Sequence, residues 1–282
     1  MKINAKLGTI ILAGGLLAAS LDSCKKNDTT SVTSDTQAAQ DNAYAEGTYN
    51  DAYSAVDVAA RNNNASLFKT QETLDMLAGA GGGSITITTD TSSSTRKLVI
   101  DFGTSTLCKD GKTRSGQIIA TWTGRYRDAG TVITISFNNY FVNGDHVEGT
   151  KTVTNMGLNS NGNPHFSIVV SGAKITTANG VISWQSTRDR EWVAGSNTAD
   201  IFDDVYHITG SASGTNIKGE TFTITVTNPI VVALSCHFIE AGTLTITTSA
   251  STSTGTLDFG NGTCDDLATF IWKGKNYDFH LR

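Results

Sequence analysis

Residues 221–227 read Thr-Phe-Thr-Ile-Thr-Val-Thr, and this stretch decides the fold class. Threonine alternates with an apolar residue at every step, so the apolar side chains share one face of an extended strand. β-Branched and aromatic side chains also fit the pleat of a half-buried sheet. The stretch therefore predicts a β-strand with one buried face and one hydroxyl-rich face.

The same alternation recurs from residue 84 onward, for example at Ile133, Ile135 and Phe137 and at Leu244 and Ile246. Turn signals of the Asn-Gly type separate the apolar runs, which favours hairpins and hence antiparallel neighbours. The chain has only two prolines to interrupt a ladder of strands. We therefore predict an all-β fold over 84–282, an antiparallel meander forming either a sandwich or a long curled sheet.

The two ends of this β body share an internal repeat. A Thr-alternating strand (84–89), a strand ending in Asp101-Phe102-Gly103 and then Cys108 return as 243–248, Asp258-Phe259-Gly260 and Cys264. The repeat units lie near 84–123 and 236–282, and they fit either two domains or one long sheet. The Asp-Phe-Gly triplet also occurs in protein kinases, but the other kinase signatures are absent. We expect a strand that buries Phe and turns at Gly, with Asp bonded to the turn backbone.

A helical lead-in and a glycine-rich hinge are predicted over 37–83, before the β body. Ser34 and Gln37 have capping-box spacing, and the helix is expected to end at 62–64, where three asparagines follow one another. Weaker helical character at 71–77 runs into the glycines at 81–83. Apolar residues recur three and four positions apart, which predicts one amphipathic helix packed on the sheet: Ala45, Tyr49, Ala52, Tyr53, Val56, Ala59 and Ala60.

Residues 1–23 have the basic, apolar and small-residue segments of a secretory signal peptide. Its last residues and the next, Leu21-Asp22-Ser23-Cys24, resemble a bacterial lipobox, which implies cleavage before Cys24 and a lipid on its thiol. The alternative is an ordinary signal peptide with Cys24 as a plain cysteine. Residues 24–36 are polar and are predicted to form a flexible tether.

Taken together, the leader, the tether, the helix and the duplicated unit are similar to a group of envelope lipoproteins of Gram-negative bacteria. The resemblance implies attachment to the outer membrane, on either its periplasmic or its surface face. The membrane, through the lipid on Cys24, is then the first expected partner. The resemblance implies nothing about activity.

Three cysteines remain for pairing if Cys24 carries a lipid. We predict a disulfide between Cys236 and Cys264, because these residues flank the hairpin of the second repeat, and a free, buried Cys108. The runner-up is a Cys108–Cys264 bridge joining the two repeats. A disulfide suits an exported protein.

Charge and histidine spacing narrow the possible partners. The formal net charge is −5, and no cluster of Lys or Arg marks a nucleic-acid surface. No two of the five histidines stand within five residues of each other, and none joins a cysteine pair at zinc-like spacing. We therefore predict no nucleic-acid partner, no metal site and no cofactor.

The best candidate for a ligand surface is a polar-aromatic stretch containing Trp184, Arg188, Arg190 and Trp192. More widely, the aromatic residues could form either a stacking platform for a glycan or part of the core: Trp122, Trp184, Trp192, Trp272, Tyr126, Tyr140 and Tyr206.

Two functions are compatible with the sequence. The first is a non-catalytic, lipid-anchored envelope protein that binds a glycan or another envelope protein, or has a structural role. The alternative is a hydrolase of envelope polysaccharide, which would need two carboxylates about 5–10 Å apart. Its candidate acids are Asp203, Asp204, Asp265 and Asp266. We favour the first and expect no enzymatic activity.

Overall fold

The computed structural model of the protein describes residues 29–62, 79, 85–125, 128–198, 200, 202–236, 238–251 and 253–280. The signal peptide, Cys24, the predicted helical stretch at 71–77 and the glycines at 81–83 lie outside these residues. The described elements are one helix, α1 (Thr29–Asn62), and fourteen strands: β1 (Thr86–Asp90), β2 (Thr95–Asp101), β3 (Thr106–Leu107), β4 (Thr113–Thr123), β5 (Val132–Val142), β6 (Asp145–Leu158), β7 (Pro164–Thr177), β8 (Gly180–Ala194), β9 (Val205–Thr215), β10 (Thr221–Ala233), β11 (Ala241–Thr248), β12 (Gly255–Asn261), β13 (Leu267–Trp272) and β14 (Lys275–His280).

All fourteen strands belong to one antiparallel sheet in which neighbours in sequence are neighbours in space. The order runs from β1 to β14 without a crossover, and the two-residue β3 pairs with β4 beside this path. The all-β meander with an N-terminal helix packed on it is thus confirmed. Both repeat units belong to this single sheet.

The sheet curls around the helix. Strands near both ends of the order contact it, because α1 packs against β2 and β4 as well as β8, β9 and β11. In a flat sheet β2 and β11 would be eight strand steps apart, a distance of about 38 Å. A helix with its side chains is only about 10–12 Å across. The helix therefore lies along the inside of the curl, and of the two predicted arrangements the long curled sheet is the one observed.

Bulges in the long central strands help the sheet to bend, since a bulge increases the local twist. Gly149 of β6 has a φ of +118° and lies at a register shift between Glu148 and Thr150. A Cβ at Gly149 would lie 2.7 Å from the Ala173 Cα of β7. Only glycine allows the two backbones to approach so closely at this bend.

Helix α1 is buried on most of its circumference. Ala45, Tyr49, Ala52 and Val56 have no solvent-exposed surface, as the predicted stripe requires. The small alanine side chains bring the helix close to the sheet. A narrow exposed stripe remains on the opposite side, at Gln40, Ala43, Tyr44, Gly47, Asn50 and Ser54.

The start of the helix differs from the prediction. Helix α1 begins at Thr29, so residues 29–36, which the sequence assigned to the tether, are helical. Extending an existing helix adds one backbone hydrogen bond per residue without the cost of a new nucleus. A segment free of glycine and proline can therefore continue a helix that its packed part has already nucleated.

The Asp-Phe-Gly triplets have the same geometry in both repeats. The Asp101 carboxylate accepts a hydrogen bond from the Gly103 N–H at 2.8 Å, and Asp258 accepts one from the Gly260 N–H at 2.9 Å. Phe102 is fully buried, and both glycines have positive φ. The triplet is a structural turn, as expected.

Candidate functional site

The contact between helix and sheet contains several buried charged side chains. Arg188 of β8, 4% exposed, donates from Nε and Nη2 to the two carboxylate oxygens of Glu46 on α1, both at 3.0 Å. A guanidinium pairs well with a carboxylate in this two-pronged geometry. This pair fixes the middle of the helix against the central strands.

A second ion cluster fixes the helix to β4. Arg114, 1% exposed, bonds the Asp51 carboxylate of α1 at 2.8 Å and Asp110 at 2.6 Å. Burial alone would raise the pKa of Asp110, but the hydrogen bonds and charge of Arg114, with the charge of Lys112, outweigh it and lower that pKa. Both carboxylates therefore compensate the buried guanidinium.

Lys151 of β6 lies beneath the helix with only 2% of its surface exposed. Its Nζ donates to the Asn50 Oδ1 at 2.7 Å and to the Tyr49 carbonyl at 3.2 Å. Burial, together with the nearby charge of Arg190, lowers the pKa of Lys151 to about 7, although Glu46 partly opposes the shift. The amine therefore exchanges its proton near neutral pH.

Arg190 of β8 lies among aromatic rings where the C-terminal half of the helix meets the sheet. Its guanidinium carbon is 5.2 Å from the ring centroid of Tyr53, 5.0 Å from that of Phe166 and 5.0 Å from that of Tyr206. Trp192 extends the group, with its ring 5.6 Å from the Tyr206 ring. We call these five residues the Arg190 cluster.

Strand register explains how the Arg190 cluster forms. Phe166 of β7 is directly opposite Arg190, and Tyr206 of β9 is directly opposite Trp192. Cross-strand partners have their side chains on the same face of the sheet, and here that face is the one that contacts α1. Tyr53 then reaches this group from the helix.

The Arg190 cluster is accessible, unlike the rest of the interface. Each of its five residues is partly exposed, whereas Tyr49, Lys151 and Trp184 are buried. Burial raises the pKa of the Tyr206 phenol, and its hydroxyl donates to the Asp204 Oδ2 at 3.5 Å. The cluster thus combines a positive charge with stacking surfaces at a partly exposed place.

The predicted ligand surface is only partly a surface. Trp184 is 4% exposed, donates from Nε1 to the Asn42 Oδ1 at 2.8 Å and stacks on Tyr49, so it belongs to the core. Arg188 is likewise buried against Glu46. The stretch was predicted to be a surface because it is polar, yet the helix supplies partners for these groups. Arg190 and Trp192, on the same face of β8, do reach the accessible cluster.

The sequence missed the other members of the site. Tyr53 was assigned to the helix stripe, Tyr206 was only one of several aromatic candidates, and Phe166 and Lys151 were not identified. They come from four different elements, so no local motif joins them. Alternation with Val153 places Lys151 on the inner face of β6, and a lysine at an inward position was the one available signal.

The remaining aromatic candidates are mostly core. Trp122, Tyr140 and Trp272 are at most 5% exposed, which favours a packing role for the matched tryptophans of the two repeats. Tyr126 lies outside the described residues.

The cysteines are arranged as predicted. Cys236 and Cys264 form a disulfide, and Cys108 is free and buried. The Glu240 carboxylate lies within 4.8 Å of both bridged sulfurs. Because the two sulfurs are bonded to each other, these three residues do not offer a set of free metal ligands.

The acids proposed for hydrolysis make local contacts. Asp203 accepts a hydrogen bond from Thr198 Oγ1 at 2.9 Å, and Asp265 accepts one from the Leu267 N–H at 2.9 Å. Asp266 pairs with the exposed His280 at 2.9 Å, and Asp204 is buried. Among the described contacts, none joins Asp203 or Asp204 to Asp265 or Asp266.

A groove crosses strands β7 to β10. This groove of about 450 Å³ is lined by small and hydroxyl-bearing residues together with Trp184 and Phe222, and its lining contains no charged side chain. The groove has no charged side chain with which to pair an ionic ligand, so the Arg190 cluster, which has a guanidinium, is the better candidate site.

Comparison of the chain with protein-family models, with curated proteins and with solved structures gives no match. Within the described part of the chain, no helix has both the length and the hydropathy needed to cross a membrane.

Proposed function

We propose that this chain is a non-catalytic, lipid-anchored protein of the cell envelope that binds a glycan through the Arg190 cluster. The partly exposed group of rings around Arg190 carries the proposal. Aromatic faces pack on the apolar faces of sugar rings, and a guanidinium supplies hydrogen-bond donors in a fixed plane. A curled sheet filled by a helix provides the rigid support that such a site needs.

The anchor is supported by the leader sequence. A short basic and apolar segment ending at Leu21-Asp22-Ser23-Cys24 favours cleavage before Cys24 and lipid attachment to its thiol. We place the protein at the outer membrane, on its periplasmic or surface face. The membrane, through the Cys24 lipid, and an envelope glycan are its proposed partners.

Intact-mass measurement and membrane fractionation test the anchor. The wild type should carry the added mass of lipid and sediment with the outer membrane, whereas a Cys24→Ala variant should be released. Cys108→Ala is the matched control, because it removes a buried cysteine of the β body and should leave the protein lipidated. A soluble, unlipidated wild type would overturn the anchor.

A glycan array probed with the soluble Cys24→Ala protein tests the binding function. This protein, with its Arg190 cluster unchanged, should bind at least one envelope-type glycan saturably. A further Trp192→Ala substitution should weaken that binding. An array without any saturable binding, together with pull-downs from envelope extracts that recover no glycan, would contradict the proposal.

A further inference from the structure

Two histidines and a glutamate lie side by side across three neighbouring strands. Glu191 of β8 is directly opposite His165 of β7 on one side and directly opposite His207 of β9 on the other. The next residue along β8, Arg190, faces the helix, and side chains alternate between the two faces of a sheet. The three residues therefore share the outer face, where each is partly exposed. We call them the His-Glu-His row.

Strand pairing sets the distances within the row. Directly opposite residues on adjacent strands have their Cβ atoms about 4.5–5.5 Å apart, so the carboxylate has an imidazole at this distance on either side. Zinc binds two imidazoles and one carboxylate at about 2.0–2.2 Å and leaves one position open to water. The row offers this set of ligand types, although its members are far apart in sequence.

Two members of the row are held by polar neighbours of the kind that support metal ligands. The Nδ1 of His165 lies 3.0 Å from Oδ2 of Asp189, which is on the same face of β8. The Glu191 Oε1 accepts hydrogen bonds from Asn163 at 2.8 Å and from Asn161 at 3.3 Å. A metal-bound histidine normally bonds a carboxylate through its other ring nitrogen, and ligating carboxylates are themselves hydrogen-bonded. With Nδ1 facing Asp189, the Nε2 of His165 is left for a metal.

His207 supplies the second imidazole. It makes no hydrogen bond or ion pair within the part of the chain that the structure describes. Hydrogen bonds from Asn159, Asn163 and Asn161 lower the pKa of Glu191, and the charge of His207 lowers it further. An ionised carboxylate and an available imidazole are therefore neighbours at this point of the sheet.

Side-chain rotation completes the arrangement. The ligand atoms of the row do not all lie within 4.8 Å of one another in the structure. Exposed side chains exchange between staggered rotamers within nanoseconds, so the row converges on an ion without any movement of the strands. The sequence predicted no metal site because its histidines are widely spaced, whereas the strand register brings two of them to one carboxylate.

We propose that His165, Glu191 and His207 bind a divalent transition metal such as Zn²⁺, with Asp189 as a positioning residue. Imidazole nitrogens select such metals over Mg²⁺ and Ca²⁺, which prefer oxygen ligands. The row lies on the opposite face of the strands from the Arg190 cluster. The inference therefore goes beyond the proposed glycan binding and does not depend on it.

Calorimetric titration of the untagged, soluble Cys24→Ala protein with Zn²⁺ tests the proposal. Binding should saturate at about one ion per chain, and excess Ca²⁺ should not displace it. His207→Ala and Glu191→Gln should each lower the affinity at least about tenfold. The titration contains no reductant, so the bridge between Cys236 and Cys264 stays closed and its sulfurs do not bind the ion.

His146→Ala is the matched control. His146 is also a partly exposed strand residue beside a carboxylate, with its Nδ1 3.6 Å from the Glu148 Oε2. Its cross-strand partners are Phe141 and Thr176, so it has no second imidazole opposite. Removing it should leave the zinc affinity unchanged.

Long-range proton–nitrogen NMR spectra of the imidazoles identify the ligands directly. Saturating Zn²⁺ should shift a ring nitrogen of both His165 and His207 and leave His146 and His280 unchanged. Asp189→Asn keeps all three ligands, so the same two rings should shift, but at about tenfold higher Zn²⁺. A purely structural role of Asp189 would leave that concentration unchanged.

Three results would overturn the inference. They are the absence of saturable Zn²⁺ binding, an unchanged affinity in His207→Ala and Glu191→Gln, and NMR shifts at other histidines in place of His165 and His207. Near-ultraviolet circular dichroism shows whether each variant is folded. If a variant does not fold, the spectra of the protein with an intact row still decide the question.

Discussion

Lys151 lies with its amine buried beneath helix α1, close to the charge of Arg190. Its neighbours include Tyr49, Asn50 and Tyr53 from the helix, Arg190 from β8, and the Glu46 carboxylate that pairs with Arg188. Burial and Arg190 lower its pKa to about 7. Because an unfolded lysine titrates near 10.4, folding stability is linked to pH through this residue.

The sign of this linkage follows from proton counts. Between about pH 7 and pH 10 the unfolded chain holds the Lys151 proton and the folded chain has released it, so the free energy of unfolding rises with pH. The rise is at most about 1.4 kcal/mol per pH unit. We predict that urea unfolding from pH 6.5 to 9.5 shows this rise in the wild type and not in Lys151→Met.

Lys174→Met is the control, because Lys174 is half-exposed and pairs with Glu148 on the surface. This variant should keep the wild-type pH dependence. If the Lys151→Met and wild-type curves run parallel, the amine of Lys151 does not release its proton in the folded protein.

The disulfide gives a second prediction at this scale. Cys236 and Cys264 are 28 residues apart, and closing a loop of that length in the unfolded chain stabilises the fold by about 3–4 kcal/mol. In denaturant unfolding, the free energy of unfolding of a Cys236→Ser/Cys264→Ser double variant should be lower than that of the wild type by this amount. A loss as large in Cys108→Ala, whose thiol is free, would show that packing and not the bridge is being measured.

At the residue scale the sequence predicts contacts between residues that are close along the chain. It misses contacts between residues that are far apart along the chain. The Cys236–Cys264 pair and the Asp101 turn are predictable, because each depends on neighbours within one repeat unit. Tyr53 and Arg190 are 137 residues apart and meet only because the sheet curls. Side-chain identity alone contains no information about that curl.

At the scale of single elements, β6 shows how backbone conformation shapes the sheet. Gly149 combines a positive φ with a backbone neighbour at 2.7 Å from where a Cβ would lie. Adding a methyl group forces either the bulge or strand β7 to move. We predict that Gly149→Ala lowers the free energy of unfolding by at least about 2 kcal/mol.

Gly144→Ala is the matched control for this prediction. Gly144 also has a positive φ, of +89°, but nothing lies within 4 Å of its would-be Cβ. Gly144→Ala should lower the free energy of unfolding only by the cost of holding alanine at a positive φ, about 1 kcal/mol. Equal losses in thermal or urea unfolding would mean that the close approach to β7 contributes nothing.

Strand β8 shows why some elements are harder to interpret than others. Strands with an apolar inner face, such as β10, can be predicted directly from the alternation of polar and apolar residues. In β8 the inner face carries Arg188 and Arg190, whose partners are on the helix, so the strand looks polar on both sides. The start of α1 was also missed, because residues 29–36 have no apolar stripe to mark them as helical.

At the scale of the molecule, α1 is part of the core. It supplies the carboxylates of Glu46 and Asp51 to buried arginines and covers Trp184. Without it, Arg188 would lose its carboxylate partner and Arg114 would keep only that of Asp110. Breaking a buried pair from one side costs about 3–5 kcal/mol.

This dependence predicts opposite outcomes for two truncations. A chain beginning at residue 29 should fold with the wild-type near-ultraviolet circular dichroism and a cooperative unfolding transition. A chain beginning at residue 63 should lack both. If the shorter chain unfolds cooperatively at a similar midpoint, the sheet is stable without the helix and the account of the core is wrong.

The sequential order of the strands also has a consequence for the time course of folding. Each strand pairs with a neighbour in sequence, whereas the Ile217 N–H finds its acceptor on Asp41, 176 residues earlier. Loop closure makes such distant contacts late events. The segment that is synthesised early is therefore the one that docks last, and pulse-labelling hydrogen exchange should show the amides of α1 gaining protection after those of the central strands. Until α1 docks, the sheet lacks the buried side chains and carboxylates that the helix supplies.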